Sequence, residues 1–296
     1  MSAALEAILR AADALEESAG GERQTAAIGH GLGLYRCSRP QEIRDIRMGE
    51  ACILLVLRGR KELATSSRTW TATAGEMLLV PTEMSFWLGN YPDGSGLEYR
   101  GLAIRFSADV VALFRQLYGA QAVHETTRAR WHAAAPGAFL EAVAQWIEWC
   151  AKRSLDDTLA RHRRAELLLI LAQAELAGHL LLAAHASWSR RLTDLFQLDP
   201  ARPWRMEEVG SRLGVSESTL RRHLQDEGRG FRDLLEEVRL MHGLTLIQES
   251  SLPIGRVADS VGYRSQSRFS ERFKRRFGLT PSSLRQTRVP AVSAKA

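Results

Sequence analysis

The chain has 296 residues, 45% of them hydrophobic, and carries 40 Lys plus Arg against 34 Asp plus Glu, a formal net charge of +6. That length and composition argue against a disordered or fibrous chain and predict an ordinary soluble protein of two domains. The three cysteines, Cys37, Cys52 and Cys150, are scattered without CxxC or Cys/His metal spacing, which points to a reducing cytoplasm rather than a zinc module.

Residues 1–24 come first. Leu5, Ile8, Leu9 and Leu15 recur among Glu6, Arg10, Asp13 and Glu16, so the stretch reads as an amphipathic helix and not as a secretory signal. Residues 25–107 change character. The segments 28–37, 52–63, 69–73, 77–80, 85–88 and 98–106 are short and β-rich, and Arg58-Gly59-Arg60, Ala74-Gly75-Glu76 and Tyr91-Pro92-Asp93-Gly94 separate them. Such punctuation predicts a small antiparallel barrel or jelly roll. A metal-binding barrel needs several histidines with a carboxylate, and these strands offer only His30 at their margin, so no metal, no cofactor and no enzyme chemistry is expected. If the barrel binds a small molecule, its pocket should be mostly apolar with a few polar groups. Tyr35, Trp70, Trp87, Tyr99 and Arg105 are the candidates, although each aromatic also reads as a core residue and Arg105 as a surface ion pair.

Residues 108–187 return to helical periodicity as a connector. Phe139, Val143, Trp146, Ile147 and Cys150 make one stripe. Segment 165–184 is apolar almost all round, long enough to raise the question of a membrane span, but Glu166, Gln173, Glu175 and His179 make that costly. Burial on two sides is the better account, one face on the barrel and one in a helix pair between subunits. This predicts a homodimer through 165–184, with Leu169 and Leu180 on the shared stripe, no membrane association, and His179 as a core or interface residue.

Residues 188–288 contain one layout twice. Near 206–227, a short helix runs to Gly214, Ser216 can cap a second helix, and Leu220 and Leu224 make its apolar stripe. Near 254–277, a helix entered at Pro253 runs to Gly262, Ser265 can cap, and Phe269, Phe273 and Phe277 repeat every fourth residue. A connector helix from about 231 to 248 joins them. At ~1.5 Å per residue it spans roughly 25 Å, which suits two reading helices on successive major-groove faces about 34 Å apart. Charge agrees: residues 199–296 hold 18 Lys plus Arg against 12 Asp plus Glu, while residues 1–198 hold 22 of each. Positive excess confined to the helix-turn-helix region is what phosphate neutralisation needs. The last eight residues, 289–296, read as a frayed, disordered tail.

The tandem pair resembles the DNA-binding domain of AraC/XylS-type transcription regulators. Arg239-Leu240, Ala258, Gly262-Tyr263, Phe269, Phe273 and Gly278-Leu-Thr-Pro281 carry the signature. The resemblance implies base contacts from Ser218, Arg221 and Arg222 on the first reading helix and from Gln266, Ser267 and Glu271 on the second. Arg264, Arg268, Arg272, Lys274 and Arg275 are the phosphate candidates. Two departures stand out: Gly210 replaces the usual alanine, softening its helix by about 1 kcal/mol, and the segment after Leu224 looks one residue short. Gly75 with Met77-Leu-Leu-Val-Pro81 is similar to the turn and strand of the family's cupin-like effector domains, and such regulators often dimerise through helices that follow the barrel.

The expected architecture is therefore α+β: a cupin-like antiparallel β-barrel with a helical connector, then an all-α domain with two helix-turn-helix motifs. The expected function is a cytoplasmic regulator, commonly an activator in the family, that binds operator or promoter double-stranded DNA, works with RNA polymerase when it activates, and answers to a small-molecule effector through the barrel. Two alternatives differ in class: a cupin-like enzyme fused to a DNA-binding module, and a regulator controlled by a protein partner with an empty barrel.

Overall fold

The computed structural model describes residues 3–18, 31–82, 84–94, 98–119, 130–152, 156–181 and 187–288. The chain forms two compact units, Met1–Ala183 with Gln286–Ala296, and Ala184–Arg285.

The first unit carries two antiparallel sheets. One has the order β1 (Leu32–Cys37), β8 (Tyr99–Phe106), β3 (Ala51–Arg58), β6 (Glu76–Val80), β9 (His132–Ala134), and the other β2 (Gln41–Met48), β7 (Met84–Tyr91), β4 (Arg60–Ala64), β5 (Thr69–Thr73). Among the described residues no strand pairing joins them, so the expected barrel is instead two open sheets. Gly59 makes the passage between them. It takes φ +80°, and a Cβ there would stand 2.6 Å from the Tyr91 carbonyl oxygen. The run expected over 52–63 therefore divides into a strand of each sheet. β2 was not expected, because Ile43 and Ile46 are three residues apart. A register shift between them, with Asp45 at φ 45°, returns both to the buried face.

β3 is buried on both faces, which is why it reads as a continuous apolar run rather than an alternating one. Ile53, Leu55 and Leu57, with Leu102, Ile104 and Phe106 of β8, share a core with the helices α1 (Ala3–Ser18), α2 (Ala108–Tyr118), α3 (Gly137–Lys152) and α4 (Asp157–Gln173). Phe139, Val143, Trp146 and Ile147 of α3 are fully buried, and Cys150 packs at the edge of the core. The segments expected as a separate amphipathic helix, a barrel and a connector thus share one core. Arg164 of α4 ties the layers together, its guanidinium donating to the Arg105 carbonyl at 3.3 Å and to Ser107 Oγ at 3.4 Å.

The continuous helix expected over 165–184 stops at Gln173. Glu175 takes φ 57°, and a single 3-10 turn covers Gly178–Leu180. Leu167, Leu168, Leu171, Leu176, Leu180 and Leu181 are all buried in the unit's own core. Turning at Glu175 thus folds Leu180 back into the chain's own core, whereas Leu169 and Ile170 remain half-buried at its edge. Among the described residues no helix is long and apolar enough to cross a membrane. His30, the side chain of His179 and the expected tail 289–296 lie outside the described residues.

The second unit is helical: α5 (Trp188–Leu198), α6 (Met206–Arg212), α7 (Glu217–Asp226), α8 (Phe231–Glu249), α9 (Ile254–Ser260), α10 (Gln266–Phe277) and α11 (Pro281–Gln286). Leu192, Phe196, Trp204, Val209, Leu220, Leu224, Phe231, Leu234 and Val238 make one core around α6 and α7. α8 is the expected connector.

Candidate nucleic-acid interface

Both halves of the second unit close the same turn. Between α6 and α7, Gly214 takes φ +72° and Ser216 Oγ accepts the Thr219 N–H at 3.2 Å. Between α9 and α10, Gly262 takes φ +80° and Ser265 Oγ accepts the Arg268 N–H at 3.3 Å. Glycine enters the left-handed region without a steric penalty, and each serine satisfies one orphan donor of the new helix. The carbonyl four residues before each glycine accepts the N–H just after it: Val215 to Gly210 at 2.9 Å, Tyr263 to Ala258 at 2.9 Å. A Cβ on Gly210 would stand 2.7 Å from the Val215 carbonyl oxygen. Gly210 therefore admits a close turn as well as softening its helix.

These turns bury one face of each reading helix and present the other. Leu220 and Leu224 of α7 and Phe269, Phe273 and Phe277 of α10 are buried, whereas Ser218, Arg221, Arg222, Gln266, Ser267 and Glu271 are exposed. The phenylalanine rings follow one another at 5.5 and 4.6 Å, beside buried Val257, Ala258 and Val261. α8 crosses so closely that a Cβ on Gly243 would lie 2.8 Å from the Phe269 ring.

The signature residues have structural work. Arg239 of α8 donates to the Pro200 carbonyl at 2.8 Å and the Arg202 carbonyl at 3.0 Å, clasping the α5–α6 link. Gly278 ends α10 at φ 82°, and Thr280 Oγ1 accepts the Ser283 N–H at 3.0 Å to start α11. After Leu224 the chain closes α7 with Gly228 at φ +66° and an Arg229 N–H to Leu224 carbonyl bond of 2.8 Å. Glu227 in this link caps α5, accepting the Trp188 and Ser189 N–H groups at 2.7 and 2.9 Å. Burial works against its charged form, but the Ser189 hydroxyl and these backbone donors hold its carboxyl below the usual range.

Charge pairing sorts the cations. Arg221 meets Glu217 at 2.7 Å, and Arg272 and Arg275 share Glu236 of α8 at 3.5 and 3.2 Å. Two of the five phosphate candidates thus also fasten α10 to α8. Such partly exposed pairs contribute at most about 1 kcal/mol, so a phosphate can replace the carboxylate. Arg222, Arg264, Arg268 and Lys274 make no ion pair among the described residues. Neither do Arg205 and Arg232, which sequence reasoning did not single out.

In the first unit, the candidate pocket residues separate. Tyr35, Tyr99 and Arg105 share the face of their sheet that carries Cys37 and Cys52, since Cys37 pairs with Tyr99, Tyr35 with Gly101 and Cys52 with Arg105. Trp87 instead shares its face of β7 with Gly89 and Tyr91, opposite to buried Phe86 and Leu88. Trp70 stacks on Trp131 at 4.6 Å. A surface cleft of about 730 Å³ is lined by Leu5, Gly75 and Leu140 and by none of the five. The unexpected feature is Lys61. It is 4% exposed, and its amine donates to Asn90 Oδ1 at 2.5 Å and Tyr99 Oη at 3.2 Å, while Asn90 Nδ2 donates to Gln41 Oε1 at 3.1 Å. Burial lowers the Lys61 pKa from 10.5 to about 7, against the opposing pull of the Cys37 and Cys52 thiols. Between Arg60 and Glu62 it reads as one of three surface charges. Its parity with buried Leu63 was the available signal.

Comparison with known proteins follows these two units. Residues 29–187 match the family model described as AraC-type transcriptional regulator N-terminus, and residues 209–287 match a helix-turn-helix domain. The urease operon transcriptional activator of Escherichia coli is 34% identical over 97 residues, 33% of this chain and 33% of that protein. The regulator YdeO of Escherichia coli K12 is 30% identical over 125 residues, 40% of this chain and 49% of that one. The matches thus span about a third to a half of these relatives' length. Among solved structures, ToxT of Vibrio cholerae has a TM-score of 0.60 at 14% identity, over 87% of this chain and 98% of that one. Another ToxT structure, with unsaturated fatty acid bound, has a TM-score of 0.61 at 14% identity, over 88% and 96%. The chain belongs to the family of AraC-type transcriptional regulators.

Proposed function

We propose that this regulator binds operator DNA with both helix-turn-helix motifs of each chain. α7 reads one major-groove face through Ser218, Arg221 and Arg222, and α10 reads the next through Gln266, Ser267 and Glu271. Arg264, Arg268 and Lys274 meet phosphates, with Arg272 and Arg275 exchanging Glu236 for them. The observation that supports this is the paired turn geometry, which leaves a polar, basic face exposed on each reading helix. Relatives named as activators favour activation, hence contact with RNA polymerase at a promoter in the cytoplasm. A homodimer through 165–184 would rest on half-buried Leu169 and Ile170 rather than on buried Leu180, and sedimentation of the full chain at micromolar concentration tests it. The central test is selection of bound duplexes from random DNA. A preferred site with two separated clusters of specified bases is expected, and recovery of unenriched sequence would overturn the reading.

A second element concerns the first unit. Lys61, with Tyr99, Asn90 and Gln41, gives its interior a cation and neutral donors, chemistry suited to the carboxylate of an otherwise apolar acid. The fatty acid bound to ToxT favours this class of effector. Long-chain unsaturated fatty acids should raise the melting temperature of the parent and leave Lys61→Met unmoved. Equal shifts in both would remove Lys61 from the effector site. The pH dependence has a definite sign. With a folded pKa near 7 against 10.5, the unfolded chain holds the extra proton between those values, so stability should rise with pH across that window and flatten in Lys61→Met.

A further inference from the structure

Within the second unit, a cleft of about 920 Å³ opens between the two helix-turn-helix halves. Arg205 at the start of α6 and Arg221 on α7 stand on one side, Arg264 in the α9–α10 turn on the other, and Arg232 and Arg239 of α8 line its floor. The acids Glu207, Glu217 and Asp259 also border it.

Three of these eight charges are already committed. Arg221 holds Glu217, and Arg239 holds backbone carbonyls of the α5–α6 link. What remains is Arg205, Arg232 and Arg264 against Glu207 and Asp259. Arg205 and Arg232 are exposed and make no ion pair or hydrogen bond from their side chains among the described residues. Elsewhere in this unit acids lie close enough to take up Arg190, Arg202, Arg212 and Arg229. Three unpaired cations converging on one concavity mark a place that an external anion fills.

The cleft's position names the anion. It is bounded by Glu217 and Arg221 of α7 on one side and by the turn that enters α10 on the other, so a duplex that admits α7 and α10 to successive major-groove faces must carry its intervening strand across the opening. That strand presents a row of phosphates. We infer that the cleft is a trough for the DNA backbone, in which Arg205 and Arg232 bind phosphates between the two sites of base reading. This rests on the two-motif reading of DNA given above, and adds to it two residues that contact no base.

The test uses the full chain, with Arg205→Gln, Arg232→Gln and the double variant, on a duplex of random sequence and on the duplex selected from random DNA. Each single change should reduce the slope of log affinity against log salt by about 0.9, and the double by about twice that. Affinity should fall by the same factor on both duplexes, with thermal melting unchanged because both side chains are exposed. A double variant with the parental slope, alongside an Arg264→Gln or Lys274→Gln variant that lowers it, overturns the trough and leaves the two-motif reading standing. A parent whose affinity is flat against salt overturns both.

Discussion

The two helix-turn-helix halves reach one geometry by different means. The first joins its helices through four residues, 213–216, and closes on Gly210; the second uses five, 261–265, and closes on Ala258. The first takes much of its core from α5 and the following link, in Leu192, Phe196 and Trp204. The second relies on three phenylalanines of its own reading helix, pressed under α8 at Gly243. What they share is a left-handed glycine, a serine cap and one carbonyl-to-N–H bond across the turn. Loop length and core composition vary freely around that frame, because the frame alone sets the angle at which a reading helix leaves its support.

The comparison breaks most visibly at the cores. Phe273→Ala removes a fully buried ring between Phe269 and Phe277 and should destabilise the second unit by ~3 to 5 kcal/mol, read from urea unfolding of the full chain. Loss of DNA binding should track that loss of fold. A Phe273→Ala protein that unfolds like the parent yet fails to bind would place the stripe toward DNA instead.

The turns should differ under exchange of their close-approach residues. Gly210→Ala, despite the higher helix propensity of alanine, should cost ~1 to 3 kcal/mol, because its methyl group meets the Val215 carbonyl. Stabilisation by the substitution would show that the first turn can open without penalty.

Base reading should separate the halves by chemistry. Gln266→Ala should cost ~1 to 3 kcal/mol at one adenine position and Arg222→Ala a similar amount at one guanine position, each relaxing preference there in a binding-site selection. An unchanged preference after Gln266→Ala would remove that residue from readout. The smallest effects belong to the caps. Ser216→Ala and Ser265→Ala should each lower stability by ~1 kcal/mol, Ser216→Ala by slightly more, since both serines accept one N–H three residues on and Ser216 Oγ also lies 2.9 Å from the Ser218 and Thr219 hydroxyls. A larger loss from Ser265→Ala would mean that the extra hydroxyl contacts of Ser216 contribute nothing.

Much of this was written in local sequence. Glycine, serine and a four-residue apolar repeat specify each turn and reading helix through contacts within about twenty residues, and Gly75 and Pro92 with its neighbours punctuate the strands in the same way. Tertiary structure decided the rest. Ile43 and Ile46 share a face only because a shift at Asp45 restores their parity. Residues 52–63 divide between two sheets because Gly59 alone can pass the Tyr91 backbone. Leu176, Leu180 and Leu181 look like surface waiting for a partner until the turn at Glu175 places them in the chain's own core. Lys61 is inside because strand parity is set by its sheet, and the Tyr99 phenol and the Asn90 amide replace part of the lost water. Short-range patterns determine which elements form, whereas which of their faces is wetted depends on residues far away in the chain.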